Sequence, residues 1–322
     1  MTIELAPMEG ITSYVYRQAL NQFYGGVDTY FTPFISTHKD KKLNFKEKNE
    51  IRPENNKGMK LVPQVLTINA DEFLFTSGQI AGFGYDHINI NFGCPSGTVT
   101  SKGKGSGALL DRDKLDRFLE EVFNKSDLKI SIKTRMGFEN ASEFEKILEV
   151  YSRYPLYELI IHARVREDFY NGDARVGELS DVIKSSSLAE KNVMKTSLSY
   201  NGDVWTISDY DRICDTFSDF DACMIGRGII SRPWLAAEIK GENKTEIDRF
   251  KAFNHALVTG YDAIMPGEKN TLFKLKELWI YMIKPFEDEI LTASNGITAK
   301  KLLKSIRKCN SLKEYELIIN TL

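Results

Sequence analysis

His87-Ile88-Asn89-Ile90-Asn91-Phe92-Gly93-Cys94-Pro95 alternates polar and apolar side chains and then turns sharply. His87, Asn89 and Asn91 share one face of a strand, and Ile88 and Ile90 share the other, the period-2 pattern of an extended chain. Gly93 permits the turn and Pro95 stiffens its exit by fixing its own φ. A cysteine therefore stands at the carboxyl end of a strand, followed by a glycine-rich loop containing Gly97, Gly103, Gly105 and Gly107. An arbitrary cysteine is more often a small buried hydrophobe. The polar strand face and the loop setting point instead to a functional thiol.

Outward from this strand, short apolar runs alternate with amphipathic stretches. Strands are predicted over 3–7, 29–35, 60–66, 87–91, 129–134, 158–163, 193–200 and 221–225. Helices are predicted between them over 14–23, 70–82, 111–124, 142–152, 178–185, 207–216 and 232–238. Asp111 has the place of an N-cap, and Asp71 falls in a first helical turn, where a carboxylate suits the dipole. Strands alternating with helices through 1–241 predict an α/β fold, a (β/α)8 TIM barrel. An open doubly wound sheet is the competing arrangement, but no Gly-x-Gly-x-x-Gly fingerprint follows the first strand. After about Gly241 the strand signal ends. Residues 245–263, 270–283, 298–308 and 311–320 read as helices, with Ser311 and Glu314 at capping-box spacing. A small all-helical domain over 242–322 is thus expected to follow the barrel domain over 1–241.

The composition is that of an ordinary folded chain: 42% hydrophobic, 27% charged, 43 basic against 45 acidic residues and a net charge of −2. Any surface that attracts nucleic acid must be local. No apolar run reaches the roughly 18 residues of a membrane span, and the first residues lack a signal-peptide pattern. The four cysteines (Cys94, Cys214, Cys223, Cys309) form no Cys-x-x-Cys pair and no zinc spacing. No metal, no membrane association, a cytoplasmic location and a monomeric state are expected.

The active site of such a barrel lies at the carboxyl ends of its strands, with phosphate at the loops after strands seven and eight. There the chain places Pro7-Met8-Glu9, Gln64, Lys133-Thr134-Arg135, His162-Ala163-Arg164, Asn201-Gly202-Asp203 and Gly226-Arg227-Gly228. Each is commonplace alone: a solvated lysine, a core histidine, an ordinary turn. Together at successive strand ends they suit flavin mononucleotide. Backbone N–H groups of the Gly202 and 226–228 loops, with Arg227, suit its phosphate. Lys133 suits the N1–C2 edge, where negative charge builds on reduction, and Gln64 the O4–N3 edge.

The ordered set resembles the tRNA-dihydrouridine synthases along nearly the whole chain. Asn91-Phe92-Gly93-Cys94-Pro95, followed by Lys104-Gly105-Ser106-Gly107-Ala108-Leu109-Leu110, is the most specific part. Lys133-Thr134-Arg135-Met136-Gly137, His162-Ala163-Arg164 and Asn201-Gly202-Asp203 follow in order. The resemblance implies reduction of the C5–C6 bond of particular tRNA uridines, with FMN as cofactor and NADPH (or NADH) as reductant. It implies that Pro7, Met8, Glu9, Gln64, Lys133, His162, Asn201, Gly202, Asp203, Gly226 and Arg227 surround FMN. Cys94 would be the general acid at uracil C5, Asn91 would bond the base, and Arg135, Arg164 and Tyr170 would contact substrate. On the tail, Lys300, Lys304, Arg307 and Lys308 fall near one helix face and suit tRNA phosphates, with Leu302, Leu303 and Ile306 available for packing. Where many relatives carry a lysine soon after the Cys-Pro pair, this chain has Ser96-Gly97-Thr98, with Lys102 and Lys104 later. A flavin barrel acting on a small molecule and a non-catalytic RNA-binding protein remain open readings at this point.

Overall fold

The structure is a computed structural model describing residues 1–37, 42–185, 196–293 and 296–322. Ten parallel strand segments form one sheet: β1 (Thr2–Leu5), β2 (Thr29–Phe31), β3 (Ile35–Ser36), β4 (Leu61–Val62), β5 (Gln64–Leu66), β6 (His87–Phe92), β7 (Lys129–Gly137), β8 (Glu158–Val165), β9 (Ser197–Asn201) and β10 (Ala222–Ile225). The ten segments make eight staves. Pro33 lies between β2 and β3, and Pro63 between β4 and β5. Proline has no N–H to give a ladder, so each stave is interrupted there. β2 pairs with β4 and β3 with β5, so the two ends of the strand order belong to adjacent staves and the sheet curls shut.

All eight predicted strands therefore have a counterpart. The seventh is shorter than expected, Ser197–Asn201; of its predicted residues, 193–195 lie outside the described ones. Its polar composition has a simple cause. Leu198 and Tyr200 face the helices, while Ser199 and Asn201 turn into a polar barrel interior.

The helices meet the expected positions with two corrections. The stretch 232–238 is not one helix: Pro233 separates Arg227–Ser231 from Leu235–Ile239. A helix at Phe45–Ile51 was not anticipated, although Asn44 and Glu47 form a reciprocal capping box visible in the sequence. Asp111 caps its helix by accepting from Lys114 N, as expected.

The tail comprises the helices Ile247–Asp262, Glu268–Met282, Lys284–Glu287, Ala299–Lys308 and Leu312–Asn320. Ser311 Oγ caps the last by accepting from Glu314 N at 3.1 Å, but the Glu314 carboxylate bonds Asn310 N, not the Ser311 amide. The tail packs on the barrel through edge-on aromatic contacts of Phe253 with Tyr16 and Tyr24, and of Phe250 with Trp234. Leu302 and Ile306 are buried, whereas Leu303 is only partly covered. No described helix is long and apolar enough to cross a membrane.

Candidate active site

Cys94 is held from both sides. Asn91, the last inward residue of β6, turns its Oδ1 to accept from Gly93 N at 3.0 Å and Cys94 N at 2.9 Å. This Asx turn converts the strand into a loop. On the far side, Ser106 donates to the Cys94 carbonyl from both its backbone N and its Oγ. That return passes so close that a Cβ on Gly105, which has φ +58°, would lie 2.7 Å from Cys94 O. Lys104 Nζ fastens the loop by donating to Thr37 Oγ1 at 3.2 Å and approaching Glu72 at 3.7 Å. Burial raises the thiol's pKa, more than Arg135 and Lys133 lower it. The group is a protonated acid at neutral pH.

Lys133 faces inward from β7 beside Asn91. Among the described residues it has no hydrogen-bond or ion-pair partner. Burial, and then the Arg135 charge, bring its pKa down from 10.5 to about 7. Arg135 is itself fully buried and spent on carbonyls, donating to Gly93, Val165 and Phe169. It fastens the Cys94 turn to the loop after β8. His162 is kept neutral, first by burial and then by Arg135 and Lys133.

Arg164 is 1% exposed. It pairs with Asp203 at 2.6 Å and donates to Gly172 O, so it braces two loops from behind the site and presents no face to a substrate. Asp203 also pairs with Arg227 at 2.6 Å. The Arg227 guanidinium packs against Tyr170 (5.0 Å) and Trp205 (5.2 Å). Asn201 donates to Met224 O and ties β9 to β10. Gln64 is fully buried, with its amide divided between Asn89 and Asn91.

A cavity of about 590 Å³ opens at these strand ends. Pro7, Met8, Glu9, Asn91, Cys94, Lys133, Arg135, His162, Tyr170 and Arg227 all line it. Gln64, Arg164, Asn201, Gly202, Asp203 and Gly226 do not; of these Gln64 and Arg164 are buried behind its wall. Sequence reasoning missed Phe34, Phe169 and, above all, Glu277, Ile280 and Tyr281, which the tail helix Glu268–Met282 brings to the same cavity. Their spacing places them near one helical face, but no local signal says what that face meets. A larger groove of about 980 Å³ runs along Ala299–Lys308, lined by Lys300, Lys304, Arg307 and Lys308. It holds none of the strand-end groups.

The cavity fits a flavin phosphoester. Its walls gather Lys133, Arg135 and Arg227, and Lys133 has no counter-ion among the described residues. The glycine turns after β9 and β10 are stacked without room for a side chain: a Cβ on Gly228 would lie 2.0 Å from Val204 O. This close approach fixes the turns on either side of Arg227, whose guanidinium lines the cavity. Gly228→Ala is expected to destabilise the protein by ~1–3 kcal/mol, as overpacking does, and to lower flavin content. Urea midpoints and flavin absorbance of the purified variant check both. Among the described residues, no group of three or more His, Cys, Asp or Glu side chains could hold a metal ion.

A family model for dihydrouridine synthase (Dus) matches residues 4–269. The chain is 30% identical over 240 residues to a probable tRNA-dihydrouridine synthase of Staphylococcus aureus (strain COL), covering 71% of this chain and 69% of the relative. It is 28% identical over 250 residues to the tRNA-dihydrouridine(16) synthase of Pseudomonas putida, covering 74% and 73%. Among solved structures it is similar to morphinone reductase (TM-score 0.51, 11% identity, 77% of this chain and 88% of that one). It is also similar to the old yellow enzyme homologue of Zymomonas mobilis (TM-score 0.52, 10% identity, 77% and 91%). At these identities the structural likeness speaks for the barrel fold alone.

Proposed function

The chain belongs to the dihydrouridine synthase family of flavin-dependent oxidoreductases, and from that premise we propose that it reduces uridines of tRNA to 5,6-dihydrouridine, with FMN as cofactor, NADPH as reductant and Cys94 as the acid. The observation that carries this reading is a half-buried thiol, its pKa raised by that burial, in the same cavity as a lysine that has no counter-ion among the described residues. Bound FMN would supply the hydride that adds to uracil C6. Cys94 Sγ holds the proton that goes to C5, which balances the two-electron reduction. A proton donor at neutral pH must keep its proton until the transition state, and burial secures that.

Lys133 and Arg227, with the glycine turns after β9 and β10, are the groups that would hold the flavin. Pro7 and Met8 add apolar wall, and His162 adds a neutral ring. Asn91 serves the reaction by setting Cys94, since its amide oxygen is already committed to two backbone N–H groups. Arg135, in the cavity wall, commits its donors to three loop carbonyls, and Arg164 braces loops from behind. Tyr170, half-exposed at the rim between Arg135 (5.5 Å) and Arg227 (5.0 Å), is the candidate for contact with an incoming base. That base must leave the tRNA stack to reach Cys94, at a cost of a few kcal/mol that is least in unpaired loops.

Purified flavin-loaded protein, given NADPH and tRNA lacking dihydrouridine, should form dihydrouridine at a defined position. Absence of product from every tRNA, with turnover of a small pyrimidine or enone, would replace this reading. On the tail, Lys300, Lys304, Arg307 and Lys308 are exposed and, among the described residues, free of ion pairs. Lys300→Glu with Lys304→Glu should weaken tRNA binding and reduce the salt slope of log K by about 2. An unchanged slope would take this helix out of the interface.

A further inference from the structure

Below the cavity, a single file of buried side chains runs down the barrel from Cys94. Cys94 N donates to Asn91 Oδ1 (2.9 Å), and Asn91 Nδ2 donates to Gln64 Oε1 (2.7 Å). Gln64 Nε2 donates to Asn89 Oδ1 (2.8 Å), and Asn89 Nδ2 donates to Ser131 Oγ (2.8 Å). Ser131 Oγ then meets His87 Nε2 at 2.8 Å. The orientation of every amide follows from the top. The two backbone N–H groups at Gly93 and Cys94 require the oxygen of Asn91, which turns its NH₂ down, and each amide below must answer in the same sense. Ser131 Oγ shares a hydrogen with His87, whose ring burial holds neutral, with a pKa of about 4.

We propose that Asn89, Ser131 and His87 are positioning residues for the reaction, locking the Asn91 turn and with it the direction in which the Cys94 thiol points. The proposal rests on the reading of Cys94 as proton donor. Gln64, Asn89 and Ser131 are all fully buried, so no solvent competes for these bonds. A missing link leaves the next amide free to rotate, since water is not there to replace the partner. The file ends at the Cys94 backbone, and so loss of Ser131 must be felt there. A small displacement of a reacting group is costly even when its cause lies far from the chemistry.

Ser131→Ala and Asn89→Ala break the file at different links, and Ser131→Thr keeps a hydroxyl in place. The test uses the flavin-loaded full chain and two readouts: kcat and KM on tRNA, and the rate of Cys94 alkylation by iodoacetamide, resolved by peptide mass spectrometry. Both alanine variants should lose about tenfold or more in kcat at unchanged KM and flavin content. They should alter the Cys94 alkylation rate several-fold, and Ser131→Thr should restore both readouts. Should Asn89→Ala not fold, Ser131→Cys, nearly isosteric but a weak acceptor, carries the same test. Variants that merely melt at lower temperature, with wild-type alkylation and kcat, would overturn the proposal. A wild-type protein inactive on tRNA would refute the donor reading, and the alkylation rates would still decide whether the file sets the thiol.

Discussion

Cys94→Ala is expected to lower uridine reduction by ~10²–10⁴-fold, the usual contribution of a positioned general acid, while flavin binding and the KM for tRNA stay near wild type. The thiol lines the cavity, and its bond with the Ser96 backbone is not part of the clamp that sets the turn. The clamp around it uses backbone atoms that alanine retains: the Cys94 N–H on Asn91 and the Cys94 carbonyl under Ser106. The substitution therefore removes the proton and leaves the scaffold. Because burial raises this pKa above the ordinary thiol value, the donor form persists into mildly alkaline solution. The alkaline fall of kcat/KM should accordingly lie higher than that of an exposed thiol and disappear in the variant. Single-turnover reduction of tRNA by pre-reduced enzyme measures the effect directly, and undiminished turnover would remove Cys94 from proton transfer.

Lys133→Met should act in opposite directions on stability and on cofactor binding. The flavin-free protein holds this lysine at a pKa of about 7, against 10.5 ordinarily. Below about pH 7 folded and unfolded chains both carry the charge, and the folded state bears its full desolvation cost. Between about 7 and 10.5 the unfolded chain keeps a proton that the folded chain has released, so stability rises with pH. Above that window neither is charged. At about 1.4 kcal/mol per pKa unit the cost reaches ~5 kcal/mol as an upper value. Methionine, of similar shape and uncharged, should thus raise the urea midpoint of flavin-free protein at pH 6, with the gain fading toward pH 10. The same change should sharply weaken flavin binding, and fluorescence titration would show it. Equal midpoints at pH 6 would mean that the ammonium is not held against its own solvation.

Much of this arrangement was legible in the sequence because strand alternation sorts side chains by face. His87, Asn89 and Asn91 on β6, and Ser131 and Lys133 on β7, turn inward as their spacing requires. The order of strands follows from the alternation with helices, and the glycine turns mark the ends of β9 and β10. Partners were not legible. Gln64 looks like a free amide beside apolar neighbours, yet the register that sets it against Asn89 engages it fully. The family resemblance implies a substrate contact for Arg164. Only the return of the loops through Gly172 and Asp203 shows it enclosed. Such pairings join residues from 8 to 39 positions apart, and no local pattern encodes them.

The wall supplied by Glu277, Ile280 and Tyr281 has a consequence for how such a protein can diverge. The border between barrel and tail, as drawn from the chain, does not coincide with the border of the cavity, because the tail helix Glu268–Met282 completes it. Lys274 of that helix also donates to Gly10 O at the end of the first stave. Grafting the tail of one relative onto the barrel of another would therefore exchange part of the cavity wall together with the basic helix Ala299–Lys308. The cavity is inherited as a joint between barrel and tail, and neither part is a detachable module.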